Sequence, residues 1–241
     1  MKIGGLQKVS LIDFPGRIAA IVFTKGCNLL CPFCHNRDLV LGSLPTIPQS
    51  QVLRFLEKRK KILDGVEITG GEPLLQPDLA DFIKKVKKLG YKIKLDTNGT
   101  FPEALKKLLQ AKLIDYVALD FKAPLDGRYD KAVGKKDFDL KAWKASLELL
   151  LNSKIAFELR TTIVPGIHNK EILVEMAKQL KELKSCRGKE VKSIEWFWQN
   201  FQPKNCLDPT FEEKKPYKRE QLEEFLKAVK RHIPTAELRN Y

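Results

Sequence analysis

The sequence predicts an α/β fold: an incomplete (β/α)6 barrel of parallel strands with outer helices. Three observations carry this. Short β-like runs alternate with helix-period apolar runs from one end of the chain to the other. Six such units can be counted, too few for a closed eight-stranded barrel. No Gly/Ser- or Pro-rich linker and no shift of composition divides the 241 residues, so one domain over 1–241 is the economical organisation.

The elements follow in order. Ile18–Thr24 is the first candidate strand, and a long connection (25–48) leads to a helix marked by Val52, Phe55 and Leu56. Gly65 precedes a strand at Val66–Thr69, and Leu79, Phe82, Ile83 and Val86 mark the next helix. Gly90 precedes Lys92–Thr97, and Pro102 opens a helix carrying Leu105, Leu108 and Leu109. Tyr116–Asp120 leads into a second long connection (121–139), then a helix with Trp143, Leu147, Leu150 and Leu151. Ala156–Ile163, a helix with Leu173, Met176, Ala177 and Leu180, Ser193–Trp198, and a helix with Leu222, Phe225, Leu226 and Val229 complete the series. Both long connections follow a strand, which places them on the C-terminal rim where such folds carry their chemistry. Connections of that length are commonly functional.

Composition narrows the class. Apolar residues are 43% and charged residues 31%, as in soluble globular proteins. No apolar run approaches the roughly 20 residues that cross a bilayer, and the first residues lack the pattern of a signal peptide. A cytoplasmic protein with no membrane partner is expected. The five cysteines are an odd number, and three fall between positions 27 and 34, which points to a metal or redox chemistry rather than a disulfide scaffold. The net charge of +14 reads mainly as solvated lysine-rich helix faces at 58–61, 84–88, 106–107 and 135–136. An acidic partner is the other reading. No recognisable RNA-binding appendage is present, which argues against nucleic acid.

The stretch Gly26-Cys27-Asn28-Leu29-Leu30-Cys31-Pro32-Phe33-Cys34-His35-Asn36 has a C-x3-C-x2-C spacing. Thiolates are soft ligands for iron–sulfur clusters, zinc or Cu(I). Zinc wants four ligands, and His35 is an available fourth, but there is no second cysteine pair of the kind zinc modules use. Three cysteines on a four-iron cluster leave one iron open to a small molecule. The spacing favours that open cluster.

This motif, with Phe33 just before the third cysteine, resembles that of the radical S-adenosylmethionine (SAM) enzymes. The resemblance implies that Cys27, Cys31 and Cys34 bind a [4Fe–4S] cluster whose fourth iron is chelated by the methionine part of SAM. Thr69-Gly70-Gly71-Glu72-Pro73 at the end of the second candidate strand is similar to the family's GGEP segment. Two glycines let backbone approach a ligand, and Glu72 or nearby carbonyls can accept from an ammonium.

The likeness narrows toward activating enzymes for glycyl radical enzymes. Ile12-Asp13-Phe14-Pro15-Gly16-Arg17, Cys34-His35-Asn36-Arg37, Leu95-Asp96-Thr97-Asn98-Gly99, Leu119-Asp120-Phe121-Lys122 and Arg160-Thr161-Thr162-Ile163-Val164-Pro165-Gly166 resemble their characteristic segments. It implies that Asn36 contacts the nucleoside or methionine part of SAM and that Asp13 orients an incoming glycine loop. A glycyl radical enzyme as protein substrate and a low-potential electron donor such as flavodoxin or ferredoxin are implied as partners.

Chemistry supports the same rim without the family. Asp96, Asp120 and the Thr97 hydroxyl are hard oxygen ligands suited to a monovalent cation, and Lys122 and Arg160 can pair with the methionine carboxylate. The segment Trp196–Pro203 departs from the pyruvate formate-lyase type of activator, which has a histidine there; Gln199 or Asn200 could replace its hydrogen bond. With no eight-cysteine ferredoxin segment inserted after Cys34, the chain resembles the longer type of anaerobic ribonucleoside-triphosphate reductase activating protein. Two alternatives stay open: a radical SAM enzyme acting on a small molecule or RNA nucleotide, and a non-enzymatic metal-binding scaffold or electron carrier. Cys186, Cys206, His168 and His232 carry no functional signal.

Overall fold

The computed structural model describes residues 1–185 and 194–239; Cys186 lies outside them. Eight strands follow chain order, β1 to β8. All six expected strands are present: β2 (Ala19–Thr24), β3 (Gly65–Gly70), β4 (Lys92–Thr97), β5 (Tyr116–Asp120), β6 (Ala156–Ile163) and β7 (Glu195–Asn200). The expectation of six is corrected by two additions, β1 (Ile3–Ser10) and the short β8 (Ala236–Leu238). The ladders β2–β3, β3–β4, β6–β7 and β7–β8 are parallel, as expected, whereas β1 is antiparallel to β2. Strand β7 starts at Glu195, beyond the expected Ser193, which is not among the described residues. The helices are α1 (Arg37–Val40), α2 (Gln49–Lys58), α3 (Leu79–Lys88), α4 (Pro102–Gln110), α5 (Arg128–Val133), α6 (Leu140–Asn152), α7 (Lys170–Ser185) and α8 (Arg219–Val229). Helices α1 and α5 fall inside the two long connections. No described helix is long and apolar enough to cross a membrane.

The chain forms two compact units. The first comprises 1–28, 36–118 and 142–156. Its core joins Val66, Ile68, Ile93 and Leu95 of the strands to the apolar stripes of α2 (Val52, Leu56), α3 (Phe82, Ile83, Val86) and α4 (Leu105, Leu108), all buried. Those stripes sit at helical spacing while the lysines of α3 point outward, so burial of one face holds each helix on the sheet. Tyr91, just ahead of β4, ties the start of that strand to α2 by donating its hydroxyl to the Leu56 carbonyl at 2.6 Å. Gly65 is required where β3 begins, because a Cβ there would lie 2.8 Å from the Phe14 ring.

The second unit comprises 29–35, 119–141 and 157–241. Trp196, Trp198, Phe121 and Phe201 are fully or almost fully buried in it, and the two tryptophans meet edge-on with centroids 5.3 Å apart. Trp196 donates Nε1–H to Thr161 Oγ1 at 2.8 Å, and that hydroxyl donates to the Phe121 carbonyl at 2.5 Å. The aromatic run of β7 is therefore largely core; the Trp196 indole N–H is satisfied, whereas the buried Trp198 Nε1 has no acceptor among the described residues.

Candidate cofactor site

The first unit supplies Cys27 and the segments that face it. Strand β3 ends at Gly70, whose φ of +116° only glycine adopts freely. A Cβ on Gly71 would fall 2.0 Å from the Gly26 carbonyl oxygen, so the two glycines let β3 lie directly against the loop that begins at Gly26. The backbone is stitched there by Gly71 N–H to the Thr24 carbonyl and Glu72 N–H to the Gly26 carbonyl, each at 2.9 Å. The glycines thus serve loop packing as well as any ligand approach.

Glu72 is fully buried and turned inward. Its Oε1 accepts from Leu74 N–H (3.0 Å) and Thr97 Oγ1 (2.9 Å), and its Oε2 accepts from Asn98 N–H (2.8 Å). The carboxylate ties the end of β3 to the end of β4. Asn36 donates Nδ2–H to the Gly70 carbonyl at 3.2 Å, holding the chain after the cysteines onto the same strand end. Asp96 is buried on β4 and pairs with Lys94, 2.7 Å away.

Asp13 is not brought to this group. It sits in the turn between β1 and β2, where its carboxylate accepts from the Ser10 hydroxyl. That turn adjoins Ala19, the first residue of β2, whereas the cysteine loop leaves after Thr24, the last. At about 3.3 Å per residue the strand separates them by roughly 17 Å.

The second unit, taken by itself, contains Cys31, Phe33 and Cys34 and the charged group after β5. Lys122 Nζ lies 2.8 Å from Asp120 Oδ2, and Arg160 on β6 approaches Asp120 at 3.7 Å. Burial works against the Lys122 charge, but the Asp120 carboxylate and then the Cys31 sulfur outweigh it and raise the ammonium above its ordinary range. A cationic Lys122 therefore stands within electrostatic reach of Cys31.

Two segments fix the cysteine loop in this unit. Helix α5 ends on Gly134 in the left-handed conformation (φ +61°), and a Cβ there would lie 2.1 Å from the Leu30 carbonyl oxygen. Leu30 N–H donates to the Val133 carbonyl at 3.0 Å. On the other flank, Leu207 N–H donates to the Cys34 carbonyl (3.1 Å) and Asp208 N–H to the Pro32 carbonyl (2.9 Å). His35 stacks on Phe201 with centroids 5.8 Å apart, and its Nδ1 lies 3.1 Å from the Lys204 carbonyl oxygen. Phe33 is 5% exposed, a packed side chain that anchors the loop.

Residues 21–185 match the family model described as the Radical SAM superfamily. The chain belongs to the radical SAM superfamily. Members of this family use a [4Fe–4S] cluster and S-adenosylmethionine. A Methanocaldococcus jannaschii protein named as a glycyl-radical enzyme activating enzyme is 31% identical over 98% of this chain and 95% of its own length. The pyruvate formate-lyase-activating enzyme of Clostridium pasteurianum is 30% identical over 95% of this chain and 98% of its own. Among solved structures, Streptococcus suis SuiB bound to precursor peptide SuiA superposes with a TM-score of 0.66 at 20% identity, covering 91% of this chain and 48% of SuiB. The chain thus spans about half the length of SuiB, which has also been solved bound to S-adenosylmethionine. TYW1 with a lysine-pyruvate adduct gives a TM-score of 0.60 at 17% identity, over 88% of this chain and 73% of TYW1. These likenesses establish the fold.

Several residues of this radical SAM enzyme's site escaped the sequence reading. Asn98 places Nδ2 at 3.9 Å from Cys27 Sγ and 2.9 Å from Asn28 Oδ1, while Thr100 and Asn28 close the network through Thr100 Oγ1. The only local signal was that Asn98 follows Asp96-Thr97 and Asn28 follows Cys27. His168, read as without signal, is 1% exposed. Its Nδ1 accepts from Val164 N–H and its Nε2–H donates to the Lys122 carbonyl, both at 3.0 Å, so it buckles the end of β6 to Lys122. Burial pushes its pKa down to about 4 against the opposing effect of these hydrogen bonds. Tyr129 accepts from Lys122 N–H at 3.1 Å and stacks on Phe138 at 4.4 Å. Cys206, also read as without signal, is fully buried; burial and then Glu212 raise its thiol pKa. Asn200 donates to the Tyr217 carbonyl at 2.7 Å, and its buried Oδ1 has no donor from the described residues.

Proposed function

We propose that residues 1–241 act as one radical SAM domain that installs a glycyl radical on a partner enzyme, with anaerobic ribonucleoside-triphosphate reductase as the partner. Cys27, Cys31 and Cys34 would each hold one iron of a [4Fe–4S] cluster. Among the described residues no three His, Cys, Asp or Glu side chains gather as a cage for a single metal ion. Cluster ligation asks instead for one thiolate per iron. The donor set fits: soft thiolates on a loop that is hydrogen-bonded on both flanks. When bound, the cluster supplies the electron that cleaves the SAM sulfonium to methionine and a 5′-deoxyadenosyl radical, which abstracts hydrogen.

The chain's own residues have positional tasks. Lys122 and Arg160 bind the methionine carboxylate, Arg160 by its fork. The carbonyls around Gly70, Gly71 and Glu72 accept from the methionine ammonium, because the Glu72 carboxylate itself is taken up by three protein donors. Asn36 contacts the nucleoside or methionine part, and the buried Oδ1 of Asn200 is an acceptor in place of the absent histidine. Phe33 packs the loop beneath. The observation that carries the reading is the close packing of the Gly70-Gly71 pair at the end of β3 on the loop that begins the cysteine motif, stitched by Glu72 N–H to the Gly26 carbonyl. An acidic flavodoxin or ferredoxin in the cytoplasm would deliver the electron, steered by the net charge of +14.

The test is anaerobic reconstitution and reduction, followed by addition of SAM and measurement of 5′-deoxyadenosine. Formation that disappears in Cys31→Ala supports the reading. A protein carrying a reduced four-iron cluster that makes no 5′-deoxyadenosine would return the scaffold or electron-carrier alternative. Turnover with a small molecule or RNA nucleotide, and none with a glycyl radical protein, would favour the other enzymatic one.

A further inference from the structure

Asp96 with the Thr97 hydroxyl reads in sequence as half of a monovalent cation site. In the structure Asp96 already has a cationic side chain as its partner. Lys94 is fully buried on β4 and sends its ammonium to Asp96 Oδ1 at 2.7 Å and to Glu67 Oε1 at 3.1 Å. Glu67 is the register partner of Lys94 on β3, and Asp96 lies two residues along β4, so all three project from one face of the sheet. The carboxylates are themselves 3% and 6% exposed, so no bulk water screens the group. Thr97, the remaining hard ligand, donates its hydroxyl to Glu72 at 2.9 Å and accepts from Gly99 N–H at 3.2 Å.

An ammonium is close to K+ in size and carries the same charge, and its contact to a carboxylate has a similar length. A buried ion triad is a weak source of stability, since desolvation offsets most of the attraction, but it holds a geometry tightly.

We propose that Lys94 is the resident cation of this site: its ammonium stands beside Asp96 where an alkali-metal ion would otherwise sit, so SAM cleavage by this chain needs neither Na+ nor K+. The proposal rests on the radical SAM reading above. Lys94 is a positioning residue, acting through Asp96 on the segment Asp96–Asn98 that meets Glu72 and Cys27.

The reconstituted protein is assayed in choline salts and in matched KCl, NaCl and RbCl, with two readouts. The first is 5′-deoxyadenosine formation; the second is the thermal midpoint without SAM. Lys94→Met alone strands two buried carboxylates and is open to misfolding, so the main variant is Glu67→Gln/Lys94→Met, which keeps the net charge of the group. Wild type is expected to show equal rates and midpoints in choline and K+. The double variant is expected to lose about tenfold in rate in choline, recover with K+, and show a midpoint that rises with K+. A wild type whose rate collapses in choline overturns the proposal, as does a folded, cluster-loaded double variant indifferent to alkali ions in both readouts. If the wild type makes no 5′-deoxyadenosine in any salt, the functional reading fails, and the midpoints still decide whether Lys94 fills a cation site.

Discussion

Lowering the pH should loosen this protein through His168, by an amount the structure sets. The imidazole is buried, accepts from Val164 N–H and donates to the Lys122 carbonyl, an arrangement that only the neutral ring satisfies. Its pKa is held near 4, whereas in the unfolded chain it returns to an ordinary value of 6.5. Between those values the unfolded state binds the extra proton, so stability falls as the pH drops from above 6.5 toward 4. Linkage gives about 1 kcal/mol lost between roughly pH 7.5 and 5.5, and about 3 kcal/mol at most below the folded pKa. The assay is anaerobic urea denaturation of wild type and His168→Gln at both pH values. Wild type should lose about 1 kcal/mol more than the variant over that interval. Equal losses would show that the ring already titrates normally in the native state, and the buckle between Val164 and Lys122 would be refuted. Because the same ring holds the Lys122 backbone, the variant should also raise the KM for SAM at neutral pH.

Gly71→Ala should abolish cluster loading, since its Cβ would lie 2.0 Å from the Gly26 carbonyl oxygen; iron per chain after reconstitution checks this. Lys122→Met should weaken SAM binding about 10- to 100-fold, the range for losing a charge-assisted hydrogen bond, while leaving iron content near wild type. Isothermal titration would show it, and unchanged affinity would remove Lys122 from the carboxylate site. Asn98→Ala removes the amide 3.9 Å from Cys27 Sγ, so the cluster's midpoint potential should move to more negative values in a redox titration followed by electron paramagnetic resonance.

The six central strands were legible because each is a short run rich in β-branched, apolar or aromatic residues that is followed by a helix-period stripe. Strand β1 was not, since Ile3–Ser10 carries two glycines, a glutamine and a lysine with no alternation; pairing with β2 makes it a strand. Three-residue β8 is too short to leave a pattern. At the site, the cysteines and the glycine pair announced themselves by spacing. Lys94 did not: Lys92 and Lys94 look alike in an alternating run, yet Lys92 is half exposed and pairs with Asp115 while Lys94 is enclosed by two carboxylates. His168 and Asn98 are single polar residues whose roles exist only through long-range contacts, 46 and 71 positions apart in sequence. Asp13 shows the converse, a motif residue that the fold places at the opposite end of β2 from the cysteine loop.

The most direct test of the account is to incubate the reconstituted, reduced protein anaerobically with SAM and the organism's anaerobic ribonucleoside-triphosphate reductase, and to record the electron paramagnetic resonance spectrum. The account predicts a glycine-centred radical on the reductase, formed together with 5′-deoxyadenosine and absent when Cys31 is replaced by alanine. Production of 5′-deoxyadenosine with no glycyl radical on this or any other glycyl radical protein of the organism would contradict it.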